Sequence, residues 1–87
     1  MPGRVEGKVC VVTGGASGIG LATCRRLAEE GGLVAVADID LTAAERAAAD
    51  LPGEATAFAV DVTDDASVAA LYQAVADRHG RIDVCHN

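Results

Sequence analysis

The amino-acid sequence predicts an α/β fold of three layers around a doubly wound parallel sheet, and three observations lead there. Short apolar runs rich in Val and Ala recur at 8–13, 33–38, 55–60 and 81–86, and they are mostly continuous rather than alternating. A strand wetted on one face alternates polar and apolar residues, so continuous runs point to strands covered on both faces. Three segments between these runs carry apolar residues at helical spacing, each presenting a single stripe. Strands joined by helices pair in parallel through right-handed crossovers, which distributes the helices over both faces of one sheet.

Taken in order, "KVCVVT" is the first expected strand. Residues 18–30 follow as a helix with Leu21, Cys24, Leu27 and Ala28 on its stripe, and Gly31-Gly32 ends it. "LVAVAD" is the second strand. The helix over 41–51 carries Leu41, Ala44, Ala48 and Leu51, with Asp40 expected as its N-cap and Pro52-Gly53 as its stop. "ATAFAV" is the third strand. Thr63 or Asp64 caps a helix over 64–79 that carries Val68, Leu71, Tyr72 and Val75, and Gly80 closes it. "RIDVCH" is the fourth strand, giving the order β-α-β-α-β-α-β and an expected strand order of 3-2-1-4. Residues 1–87 are read as the amino-terminal half of a longer α/β unit with no second domain, because the fourth strand has no following helix and a parallel strand normally has two neighbours. Cover supplied by a partner is the alternative.

Composition narrows the partners. The 87 residues are about half apolar and support one modest aliphatic core. Thirteen acidic residues against seven Lys and Arg leave a net charge of −6, which repels a nucleic-acid backbone or an anionic membrane surface. No apolar run approaches the roughly 18 residues of a membrane span, and the expectation is a soluble, cytoplasmic protein. Cys10, Cys24 and Cys85 are widely separated, and with His79 and His86 they form no metal-ligand pattern. They are expected to be small buried apolar residues.

The stretch "VVTGGASGIGLA" carries the functional signal, with four glycines among the seven positions from Gly14 to Gly20. In a parallel α/β sheet, ligands bind beyond the carboxyl ends of the strands, where a helix N-terminus directs free N–H groups and a positive dipole end at an anion. A pyrophosphate fits such a crevice. Gly14 is expected to permit the tight turn, Gly18 to let backbone approach the phosphates, and Gly20 to let the helix lie close to the sheet. Thr13 and Ser17 add hydroxyl donors. Asp38 ends the second strand eighteen residues beyond Gly20, about where an acidic side chain meets the adenosine ribose. Its carboxylate accepts from both ribose hydroxyls and repels a 2′-phosphate. No Arg or Lys stands at Gly15, Ala16, Ile39 or Asp40 to hold that phosphate, so NAD is expected rather than NADP.

"TGGASGIG" from Thr13 to Gly20 resembles the TGxxxGIG cofactor loop of the classical short-chain dehydrogenase/reductase family, whose fold is the NAD(P)-binding Rossmann fold. Asp38 matches the acidic residue of its NAD-preferring members, "DVT" at Asp61 to Thr63 resembles its adenine-contacting segment, and "HN" at His86-Asn87 resembles the opening of its NNAG motif, with His86 in place of the first Asn. The resemblance implies a cofactor-binding set of Gly14, Ser17, Gly18, Ile19, Gly20, Asp38, Asp61, Val62 and Asn87, with NAD as cofactor and no metal. In physical terms the Asp61 carboxylate accepts from the adenine amino group while the Val62 N–H serves a ring nitrogen. Asn87 is placed under the nicotinamide ribose.

The resemblance also implies hydride transfer between NAD(H) and an alcohol or carbonyl substrate, and a homo-oligomer. The family's Ser, Tyr and Lys that handle the proton lie beyond this sequence, so no catalytic residue is assigned. Tyr72 is followed four places on by Ala76 and sits on an apolar stripe, which makes it a packing residue. Two other readings stand beside this one: a non-catalytic nucleotide-binding or interaction module, and a methyltransferase, whose Gly-rich turn and strand-end acid bind adenosine without a pyrophosphate.

Overall fold

The computed structural model describes residues 5–86. Four strands and three helices alternate as β1 (Val9–Thr13), α1 (Gly18–Glu29), β2 (Leu33–Asp38), α2 (Leu41–Asp50), β3 (Ala55–Ala59), α3 (Asp65–His79) and β4 (Val84–His86). Every strand pair is parallel, in the order β3-β2-β1-β4. β1 therefore lies between β2 and β4, and its carboxyl end opens at the middle of the sheet edge.

Continuous apolar runs translate into a core on each face. Val12, Val34 and Val36 pack with Cys24 and Ala28 of α1 and Ala44 and Ala47 of α2. Val9, Val11, Ala35 and Ala37 point to the other face, against Leu71 and Val75 of α3. Successive strand residues face opposite ways, so a strand buried on both sides needs an apolar residue at every position. Tyr72 packs against this second cluster, as its stripe position requires.

The helix ends follow their cap chemistry. The Asp40 carboxylate accepts from the Ala43 N–H and the Asp64 carboxylate from the Ala66 N–H, so Asp64 rather than Thr63 caps α3. Gly80 closes α3 at φ +83°, a left-handed conformation in which a side chain is strained.

Three expectations need correction. The fourth run was expected to be strand from residue 81, but only Val84–His86 is. Ahead of it Asp83 couples to β1 with both its backbone and its side chain. Its N–H donates to the Val9 carbonyl at 2.9 Å, and its Oδ2 accepts the Val9 N–H at 2.9 Å. The Arg81 guanidinium grips Oδ1 at 2.6 and 3.0 Å. That ion pair, with the Val9 N–H, holds the Asp83 carboxyl below the usual carboxylate range. Cys10 and Cys24 are buried, but Cys85 is exposed, because it lies on the edge strand β4. Burial pushes the Cys24 thiol up to about 11. Leu41 was placed on an apolar stripe and is instead 42% exposed, at the first position of α2.

Candidate functional site

The connection from β1 to α1 is built from backbone held at close quarters. Gly14 sits at φ +67°, and the Gly15 N–H donates to the Ala37 carbonyl of β2 at 3.1 Å. A Cβ at Gly15 would lie 3.0 Å from Cys24 Sγ, the Val12 carbonyl oxygen and Val36 Cγ1 at once. Gly15 is thus sterically confined as well, though it was not among the three glycines singled out from spacing. A Cβ at Gly20 would lie 2.0 Å from the Gly14 carbonyl oxygen. The backbone that Gly20 admits is therefore that of the turn, which the sequence reading had assigned to the sheet. Gly18 sits at φ +57° with no atom within 4 Å of where its Cβ would be, so it faces open space.

That open space has the character of an anion cradle. Ser17 is the N-cap of α1 in an extended conformation and makes no side-chain cap bond. The first N–H groups of a helix lack intrahelical acceptors, and among the described residues the Ser17 side chain does not cap them. Ile19, in the same first turn, is 81% exposed. Thr13 does not join these donors. Its side chain is buried, and Oγ1 donates across to the His86 carbonyl at 3.5 Å, because β4 lies beside it in the sheet.

A crevice beside the turn is lined by Gly14, Asp38, Ile39, Val60, Asp61, Val62 and Thr63. It brings four of the nine residues chosen from the sequence, Gly14, Asp38, Asp61 and Val62, to one place. Asp38 already orders the turn: Oδ2 accepts the Ala16 N–H at 3.2 Å and Oδ1 the Asp40 N–H at 3.1 Å. Asp61 Oδ1 accepts both the N–H and the hydroxyl of Thr63, at 3.0 and 2.6 Å. Those two bonds hold the Asp61 carboxyl below the usual carboxylate range. Ile39 and Val62, 74% and 60% exposed, line the crevice and give it aliphatic walls. Asn87, the remaining candidate, lies outside the described residues.

Sequence reasoning missed Ile39, Val60 and Thr63 as lining residues. The available signal for Ile39 was an aliphatic residue placed between two aspartates, where solvent would otherwise be expected. An adenosine diphosphate fits this arrangement, with a cradle for phosphates, a carboxylate beside it and an apolar slot ending in a second carboxylate.

A sequence model of the family described as short chain dehydrogenase matches residues 8–87. The chain belongs to the short chain dehydrogenase family. D-threitol dehydrogenase of Mycolicibacterium smegmatis is 47% identical over 87 residues, covering 97% of this chain and 34% of its own. Sorbitol dehydrogenase of Cereibacter sphaeroides is 44% identical over 84 residues, covering 97% of this chain and 33% of its own. Among solved structures, a 3-ketoacyl-(acyl-carrier-protein) reductase from Brucella melitensis complexed with NADH superposes with a TM-score of 0.89 at 35% identity, over 94% of this chain and 34% of that one. The chain thus spans about a third of the length of the relatives it matches. Its fold is the NAD(P)-binding, Rossmann-like fold of short chain dehydrogenases, an oxidoreductase family whose names vary in substrate.

Proposed function

We propose that residues 1–87 form the NAD-binding half of the nucleotide domain of a short chain dehydrogenase, and that the whole protein oxidises an alcohol or reduces a carbonyl compound of small size. The relatives' names, which include dehydrogenases of sorbitol and threitol and a 3-ketoacyl-(acyl-carrier-protein) reductase, support an alcohol or carbonyl group as the reacting centre. The observation that carries the proposal is the convergence of Gly14, Asp38, Asp61 and Val62 on one crevice beside the bare first turn of α1. In this reading the N–H groups at Ser17 to Gly20 bind the pyrophosphate, and Asp38 accepts from the adenosine ribose. Ile39 and Val62 flank the adenine, and Asp61 accepts from its amino group. Asn87 and Ile19 belong to the nicotinamide end. Nicotinamide, when bound, carries the hydride exchanged with the substrate carbon.

Preference for NAD over NADP rests on Asp38. Its two oxygens are held by the Ala16 and Asp40 amides at 3.2 and 3.1 Å, so the carboxylate cannot swing away from a 2′-phosphate without breaking both bonds. Proton transfer is assigned to none of the described residues. Tyr72 packs from α3 against the core on one face of the sheet, and Lys8 precedes β1. No helix among the described residues is long and apolar enough to cross a membrane.

The test is calorimetric titration of the protein with NAD and with NADP, before and after Asp38→Ala. The expected result is tighter NAD binding in the unmodified protein, with NAD affinity falling about tenfold in the variant and discrimination against NADP largely lost. Equal affinities in the unmodified protein would remove the role given to Asp38.

A further inference from the structure

We infer that Thr63 is a positioning residue for base recognition: it holds Asp61 Oδ1 from two sides and leaves Oδ2 as the oxygen that receives the adenine amino group. The inference rests on the reading that adenine occupies the crevice between Ile39 and Val62. Three hydrogen bonds carry it. Asp61 Oδ1 accepts the Thr63 hydroxyl at 2.6 Å and the Thr63 N–H at 3.0 Å, and the Asp61 N–H donates to Ser67 Oγ at 2.9 Å.

A carboxylate on an exposed loop rotates about two side-chain bonds and offers either oxygen to a ligand. Here the Asp61 backbone is tied to the first turn of α3 by Ser67, and its carboxyl plane is tied to the next residue but one by a fork of two donors. Among the described residues Oδ2 receives no hydrogen bond. Thr63 itself is exposed and is not the cap of α3, because Asp64 fills that place. Among the described residues its hydroxyl bonds to Asp61 alone, and the helix does not depend on it. The same two bonds hold the carboxyl below the usual carboxylate range, so the acceptor is both aimed and, at neutral pH, ionised. An ionised, pre-oriented acceptor favours a base whose edge offers an amino group. A base carrying a carbonyl there meets acceptor against acceptor.

The test compares NAD with nicotinamide hypoxanthine dinucleotide, in which the adenine amino group is replaced by a carbonyl. Both are titrated calorimetrically into the full-length protein and into its Thr63→Val, Thr63→Ser and Asp61→Ala variants. Thr63→Val conserves shape and removes the hydroxyl. It is expected to weaken NAD about tenfold, as loss of a hydrogen bond to a charged group does, and to leave the hypoxanthine analogue nearly unchanged, so that the ratio between them contracts. Thr63→Ser restores the ratio. In the ligand-free protein, NMR titration of the Asp61 carboxyl is expected to move upward in Thr63→Val and stay low in Thr63→Ser.

Two results overturn the inference while leaving Asp61 as the base reader. One is an unchanged ratio in Thr63→Val when Asp61→Ala collapses it. The other is equal loss of both dinucleotides in Thr63→Val, which marks Thr63 as a residue of loop structure only. An Asp61→Ala variant with the wild-type ratio overturns the reading of Asp61 and the inference together.

Discussion

Replacing Gly20 by Ala isolates the packing of the glycine turn on α1. In an unconstrained helix that change stabilises by about 1 kcal/mol, because Ala loses less backbone entropy. Here the added Cβ would lie 2.0 Å from the Gly14 carbonyl oxygen and 2.7 Å from the Gly14 carbonyl carbon, below the 3.0 Å floor that real Cβ atoms keep. Both neighbours are backbone, so no rotamer change relieves them. The turn must open by about 1 Å to reach that floor. Such a movement strains the bond from the Gly15 N–H to the Ala37 carbonyl, now 3.1 Å, and the one from the Ala16 N–H to Asp38, now 3.2 Å.

Overpacking of this kind costs about 1–3 kcal/mol, enough to reverse the helical gain. Phosphate-binding amides also need to be held within about 0.5 Å of their working geometry, so NAD affinity is expected to fall at least about tenfold. Urea unfolding and calorimetric titration of the same preparations measure both effects. Gly53→Ala is the control. Gly53 sits at φ +75° with no atom within 4 Å of its Cβ position, in the turn between α2 and β3 at the far end of the sheet. It is expected to cost about 1–2 kcal/mol of stability with no loss of NAD affinity. A Gly20→Ala protein as stable as the parent and binding NAD equally well would refute the role assigned to that contact.

Further outcomes concern the core and the fourth strand. Val75 is fully buried against Val9, Val11 and Leu71, so Val75→Ala is expected to cost about 2 kcal/mol in urea unfolding, whereas Leu41→Ala, at a position 42% exposed, should cost well under half of that. Asp83 has a folded-state carboxyl depressed by Arg81 and the Val9 N–H. Its contribution to stability is therefore complete above the ordinary carboxylate value of about 3.9 and is lost as pH falls through the lower folded value. Asp83→Asn keeps an acceptor for Val9 and removes the charge, so its stability should decline less steeply than the parent's as pH falls below about 4, measured by urea midpoints across that range.

Much of the fold was legible because both signals are local. An apolar residue at every position of "VCVVT" and "LVAVAD" reports two covered faces, and stripes ended by Gly31, Pro52 and Gly80 report helices and their limits. The acidic strand end at Asp38 and the glycines at 14, 18 and 20 carried most of the candidate site, since a bare turn before a helix needs those residue types. Thr63 was legible as a possible cap and as the end of the "DVT" segment but not as the residue that holds Asp61, and Gly15 only as a position left open in the glycine pattern. Their constraints come from Asp61 in one case and from Cys24 and Val36 in the other.

The sequence by itself determined the element order and the parallel double-faced sheet, because conformation and burial are written in the spacing of each segment. Tertiary structure alone decided that Gly20 admits the turn rather than the sheet, that Thr13 bonds to β4, that Cys85 is exposed, and that Asp38 and Asp61 are each held by backbone amides before any ligand arrives. Most of these depend on how far-apart elements meet, and the hold on Asp61 on the course its loop takes. No periodicity within one element encodes where such atoms come together.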